Sequence, residues 1–273
     1  MRRTGPLAGL AAATSLFTVL PAPVLPDVDR TVARRAVAAF GWFGLLLGAV
    51  GGLVCGLVLA TGAGAWLAGV LVLVWLAAAT GGFHLDGVAD TADGLGSRAG
   101  SERALEIMKR SDIGPMGVIA LVFTLLVDVG ALTSLTATLG SWPGGWWRVG
   151  LLVAVGPSVG RAAILLATRP QVPCARPGGF GSLVAGVTRP RAAAVNLAAL
   201  GLVWAVVGAL AAGPAGALLV VACAGVALAA TAGWTRHLVR RLGGMTGDCF
   251  GALNEYGQTL TWLALALTCA VAL

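Results

Sequence analysis

Hydrophobic residues in this chain fall in long uninterrupted runs separated by short polar stretches. They show neither the alternation of a half-buried strand nor the single apolar stripe of a soluble helix. Runs long enough to cross a bilayer, which takes about 20 residues, cover 36–60, 64–82, 116–139, 149–168, 192–212 and 215–235. A shorter run, 258–273, closes the chain and would reach roughly 24 Å at about 1.5 Å per residue. The pattern predicts an all-α fold, a polytopic membrane helix bundle of seven transmembrane helices forming one integral-membrane domain over 1–273. Gly44, Gly48, Gly52 and Gly56 recur every fourth residue of the first span. That spacing lets membrane helices approach closely.

Residues 7–25 are also apolar, yet Arg2 and Arg3 precede them and Arg30, Arg34 and Arg35 follow. A cleaved signal peptide would strand the last three arginines outside, against the charge rule for membrane proteins. The segment is therefore expected to be a re-entrant or interfacial helix bent at Pro21 and Pro23.

Composition removes a soluble domain from consideration. Hydrophobic residues make up 58% of the chain and charged ones 11%, where soluble domains carry about 25% charged residues. The net charge of +7 points to orientation and not to nucleic acid. Connections 61–63 and 213–214 are uncharged, and 140–148 holds only Arg148; the opposite set of segments carries sixteen of the 18 basic residues and ten of the 11 acids. The positive-inside rule places that set, and any chemistry done by its acids, in the cytoplasm. The five cysteines have no metal-type spacing, and three lie in apolar runs, so no disulfide framework is expected.

The run Gly-Gly-Phe-His-Leu-Asp-Gly-Val-Ala-Asp-Thr-Ala-Asp-Gly, 81–94, leaves the membrane and places Asp86, Asp90 and Asp93 at i, i+4 and i+7. On a helix these fall within about 60° of one face. Three like charges so arranged repel, and a divalent cation would relieve them. Oxygen donors without cysteine favour Mg²⁺ or Mn²⁺. A solvated acidic face is the bland alternative. His84 lies about 160° away around the helix and reads better as a structural histidine than as a ligand. In 97–117, Arg103, Lys109 and Arg110 suit phosphate oxygens or lipid headgroups equally, with Asp112 a further acid.

A second acidic stretch, 240–257, sets Asp248 and Glu255 about 20° apart on one helix face, with Gly251 and Ala252 between them, leaving room for a bulky ligand. Gly243, Gly244 and Gly247 can aim backbone N–H groups at a phosphate, and Asn254 can support or ligate. Two carboxylate helices at one face fit a two-metal clamp on a diphosphate. Arg240 and Arg241, with Arg176 and Arg189, supply guanidinium groups for it. Cys249 reads as a small filler. Asp128 and Arg161 lie within spans; they either pair or place Arg161 at the floor of the site.

His-Leu-Asp-Gly-Val-Ala-Asp-Thr-Ala-Asp-Gly-Leu, 84–95, closely resembles the hallmark of the cobalamin synthase (adenosylcobinamide-GDP ribazoletransferase) family. Segments 107–117 and 241–255 are similar to further blocks of it, as more weakly are 40–44, 157–161 and 175–181. Gly44 departs from the pattern, where proline is more usual. The resemblance implies a Mg²⁺-dependent enzyme of the bacterial inner membrane that joins adenosylcobinamide-GDP to α-ribazole or its 5′-phosphate and releases GMP. Asp86, Asp90 and Asp93 would hold Mg²⁺, while Asp248 and Glu255 would hold a second ion or activate the attacking hydroxyl. Lys109, Arg110, Arg176, Arg240, Arg241, Asn254 and Gly247 would bind substrate. A homo-oligomer, or association with other enzymes of cobalamin nucleotide-loop assembly, is compatible with it. A CDP-alcohol phosphotransferase shares this logic, but its motif continues with Ala-Arg where Asp90-Thr91 stands here. An ion-coupled transporter would place its carboxylates near the midplane.

Overall fold

A computed structural model describes residues 7–25, 27–140 and 144–272; Arg2 and Arg3 lie outside them. Ten helices form: α1 (Ala8–Phe17), α2 (Arg30–Ala60), α3 (Ala65–Thr80), α4 (Phe83–Gly96), α5 (Ser101–Ile107), α6 (Pro115–Leu139), α7 (Gly145–Ala167), α8 (Gly179–Val184), α9 (Pro190–Leu242) and α10 (Gly247–Ala272). The chain is an all-α membrane bundle. Among the described residues, four helices (α2, α6, α7 and α9) are long and apolar enough to cross a membrane, and α3 with α4 makes a fifth candidate, bent by 92°.

Three boundaries differ from expectation, each for a local reason. The N-terminal helix stops at Phe17, ahead of Pro21, and the chain is already extended at Thr18. Its 10 residues span roughly 15 Å, half the ~30 Å hydrocarbon core, so α1 alone does not cross. Helix α2 starts at Arg30, ahead of its apolar run, because Asp29 caps it: the Asp29 carboxylate accepts the N–H groups of Thr31 and Val32 at 2.9 and 2.8 Å. Helix also fills most of 236–257, between the apolar runs 215–235 and 258–273. Helix α9 runs on to Leu242, and α10 begins at Gly247 as a continuous helix of 26 residues, long enough to need no thinning of the bilayer.

The uncharged 213–214 connection is a hairpin tip within α9. Ala212 and Gly213 leave helical geometry, Gly213 at φ +70°, and Pro214 opens the second arm. The glycine ladder of α2 faces α7. A Cβ on Gly48 would stand 2.6 Å from the Ala154 carbonyl oxygen, so the two helices touch backbone to backbone. Helix α7 is the most enclosed element. Its Pro157 has no N–H for the Val153 carbonyl one turn earlier, and the Trp262 indole N–H of α10 donates to that carbonyl at 3.1 Å.

Contacts between connections sort them into two sets, as the charges do. Arg30 donates to the carbonyls of Ser182 and Ala185, and Arg241 to that of Ala99. Backbone pairing joins Cys174 to Met245. In the other set, Arg148 donates to the Ala211 carbonyl at the α9 hairpin tip. The acidic motif and the basic connections thus share one end of the bundle.

Candidate active site

Helix α3 ends at Gly81 and Gly82, both with positive φ (65° and 73°), a conformation that costs glycine little. This double left-handed turn swings α4 through 92°, laying the acidic motif across the end of the bundle instead of continuing the span. Helix α4 then crosses α10 where side chains are absent. A Cβ on Gly87 would stand 2.6 Å from the Asp248 carbonyl oxygen, and one on Gly251 would stand 3.3 Å from His84 Cα. The room expected beside Gly251 for a ligand is therefore filled by the backbone of α4.

The crossing brings Asp86 and Asp90 of α4 to Asp248 in the first turn of α10. Burial, then Asp86, Asp248 and Asp93, push the Asp90 carboxyl up to about 7, with Arg176 acting in the opposite sense. Burial also raises Asp248, while the Thr246 hydroxyl and Arg176 pull it back. Arg176 Nη2 lies 3.3 Å from Asp248 Oδ2, and Thr246 Oγ1 donates to the same oxygen at 3.2 Å. Three clefts open at these acids. An aromatic chamber of about 240 Å³ reaches Asp86 and Asp248. A polar cleft of about 600 Å³ lies along Lys109, Arg176, Gly178, Gly179, Gly247 and Asp248. A third, of about 660 Å³, holds Asp86, Asp90, Arg110 and Asp112.

Sequence comparison agrees along nearly the whole chain. The profile of the family described as cobalamin-5-phosphate synthase matches residues 9–266. The chain belongs to that family. Among curated relatives, an adenosylcobinamide-GDP ribazoletransferase of Frankia casuarinae is 40% identical over 94% of this chain and 93% of its own. Proteins of the same name from Corynebacterium efficiens and Citrobacter koseri are 34% and 39% identical, covering 97% and 93% of this chain and 91% and 97% of their own. No solved structure matches.

In this cobalamin-5-phosphate synthase family member, other expected site residues stand elsewhere. Asp93 is turned to the start of α6, its two oxygens accepting the N–H groups of Gly114 and Gly117 at 2.6 and 2.8 Å. Glu255 shares a face with Asp248 but lies two turns deeper, buried, accepting from Asn254 and Gln258 at 3.2 Å each. Asn254 also lies 3.3 Å from His84 Nδ1, so it braces the layer beneath the clefts. Buried His84 belongs to that layer too, its ring 4.0 Å from the ring of Phe83. Arg241 is tied to the Ala99 carbonyl. Arg240 lines a separate cleft with Arg169 and Arg236, and Arg110 pairs with Asp112 at 3.3 Å in the exposed loop.

Asp128 and Arg161 do not pair. Arg161 donates to the Pro157 carbonyl at 3.2 Å and lies over the Phe40 ring, beneath the aromatic chamber. Among the described residues, no three His, Cys, Asp or Glu side chains close around a metal-sized space. Sequence reasoning missed Thr246, although a threonine just ahead of an apolar helix is a capping signal. It also missed the aromatic walls, contributed by Phe17, Phe40, Phe83, Phe180 and Phe250. No local pattern links residues so far apart in the chain.

Proposed function

We propose that this chain is an adenosylcobinamide-GDP ribazoletransferase of the bacterial inner membrane, crossing it seven times when the two arms of α9 and helix α10 are counted. Its site faces the cytoplasm. It joins adenosylcobinamide-GDP to α-ribazole or its 5′-phosphate and releases GMP. The observation that carries this reading is the crossing of two acidic helices at the basic end of the bundle, in a chain that matches the family over 9–266.

The donor set fits a hard divalent cation. Asp86, Asp90 and Asp248 offer carboxylate oxygens, no sulfur donor stands among them, and Arg176 offsets only part of their charge. Asp86 and Asp90 would hold Mg²⁺, which neutralises a diphosphate and polarises its phosphorus when bound. The chain supplies the rest. Lys109 and Arg176, which both line the polar cleft, take the diphosphate oxygens. The 3′-hydroxyl of α-ribazole attacks the phosphorus nearer the cobinamide. A P–O bond forms to that oxygen, the anhydride P–O bond breaks, and GMP leaves. Asp248, which borders both the chamber and the polar cleft, accepts the hydroxyl proton.

GMP release from adenosylcobinamide-GDP and α-ribazole, with Mg²⁺ and with a chelator, tests the activity. Asp90→Asn or Asp248→Asn should abolish turnover and leave membrane insertion intact. Near-normal GMP release by either variant would sink the assignment of the site.

A further inference from the structure

The aromatic chamber has no task in the chemistry above, yet it opens on the same carboxylates. The geometry points to it as the seat of the flat benzimidazole base of α-ribazole, an inference that rests on the ribazoletransferase reading. Its walls come from six helices, α1, α2, α4, α7, α8 and α10. Phe17 of α1 is the hub: its ring lies 4.3 Å from that of Phe40, 5.3 Å edge-on from that of Phe180 and 6.4 Å from that of Phe83. Rings presented at mixed angles offer faces and edges to a bound π-system.

Size narrows the occupant. About 240 Å³ falls just below the ~300–1,000 Å³ usual for sites of drug-sized ligands. That is room for one fused ring pair and far too little for a corrin. Polarity then separates the two bases in the reaction. The polar side chains on the wall are His84, Asp86 and Asp248. His84 Nδ1 already faces Asn254, and Asp248 is held by Arg176 and Thr246. Guanine, with donors and acceptors around its edge, would be left with unpaired polar groups among phenylalanines. The benzimidazole edge is apolar except for one acceptor ring nitrogen. Guanosine suits the wider polar cleft beside Lys109 and Arg176. A base seated in the chamber leaves its ribose at the mouth, where Asp248 can meet the 3′-hydroxyl.

The test uses the full chain in nanodiscs. Phe17→Ala removes the ring at the hub of the wall, which does not line the polar cleft, and Val184→Phe fills the chamber from a second side. Each should raise the KM for α-ribazole roughly tenfold, the loss expected for one aromatic contact with its buried area. The KM for adenosylcobinamide-GDP should stay within about twofold. Isothermal titration with α-ribazole, on protein shown to be monodisperse, should give the same loss of affinity. If the KM for adenosylcobinamide-GDP rises instead, or if neither variant alters either constant while wild type releases GMP, the chamber is not the ribazole seat. Wild type that binds α-ribazole, with both variants weakened, but releases no GMP would keep the seat and remove the ribazoletransferase reading.

Discussion

Asp93 decides between two physical roles for the third carboxylate of the acidic motif. Its spacing from Asp86 and Asp90 predicts a metal ligand, but both of its oxygens accept backbone N–H groups, from Gly114 at 2.6 Å and Gly117 at 2.8 Å. Gly114, the residue preceding α6, has no side chain with which to cap that helix. Asp93 thus caps α6 from another helix, meeting two donors that α6 cannot satisfy itself. Hydrogen bonds to a charged acceptor contribute about 1.5–3 kcal/mol each, and the helix dipole adds roughly 0.3–1 kcal/mol. Asp93→Asn keeps the shape and one acceptor oxygen, but it removes the charge and turns an amide N–H₂ toward the other donor. A loss of about 2–4 kcal/mol follows. Thermal melting in detergent, with Mg²⁺ and with a chelator, reads both roles. The melting temperature of Asp93→Asn should fall under both conditions while the increment due to Mg²⁺ survives. Asp86→Asn should do the reverse, because Asp86 is exposed: wild-type melting in chelator and a lost increment. If Asp93→Asn melts like wild type in chelator and loses the Mg²⁺ increment, Asp93 is a ligand and the capping argument is wrong.

Further predictions concern the same crossing and its support. The folded-state carboxyl of Asp90 titrates near 7 against an ordinary 3.8, so the folded protein holds more protons than the unfolded one between those values. Metal-free stability should therefore fall as pH rises from about 4 to about 7, while protection by Mg²⁺ grows over the same window; a metal-free melting temperature that climbs through it would contradict this. Gly87→Ala would set a Cβ 2.6 Å from the Asp248 carbonyl oxygen, forcing α4 from α10 at a cost of about 1–3 kcal/mol. It should lower kcat by roughly tenfold or more, since small displacements of reacting groups are expensive, and wild-type kcat in a folded Gly87→Ala would refute the crossing's role. Trp262→Phe strips the donor from the Val153 carbonyl that Pro157 leaves open, and denaturant titration should show a loss of about 1–3 kcal/mol.

Much of the fold was legible because a bilayer imposes a length and a polarity that residues report directly. The glycine ladder named its own face, and the uncharged 213–214 connection marked a tip. Boundaries failed where polar helix formers extend a span beyond its apolar run, as Arg236, Arg240 and Arg241 do for α9. At the site, helical spacing correctly placed Asp86, Asp90 and Asp93 on one segment and Asp248 and Glu255 on another. It could not show that α4 lies across the bundle, because that follows from the two positive-φ glycines at 81 and 82. Nor could a shared face reveal depth. Asp248 and Glu255 point alike, yet one reaches a cleft and the other is buried with Asn254 and Gln258.

That difference in depth explains how repelling acids are kept together. The open layer, Asp86, Asp90 and Asp248, gains nothing from its own proximity; the upward push on Asp90 measures the repulsion and burial that the chain leaves standing. Among the described residues, Arg176 is the cation that pairs with this layer, and one guanidinium does not balance three carboxylates. The acids stay close because the helices carrying them are locked below. Gly87 and Gly251 permit backbone contact, His84, Asn254, Glu255 and Gln258 bond among themselves beneath it, and Asp93 anchors the far end of α4 to α6. Packing free energy from a buried layer thus holds an electrostatically unfavourable layer in place. A site prepared in this way binds a divalent cation and a diphosphate more readily than either alone, because each offsets the charge that disfavours the other.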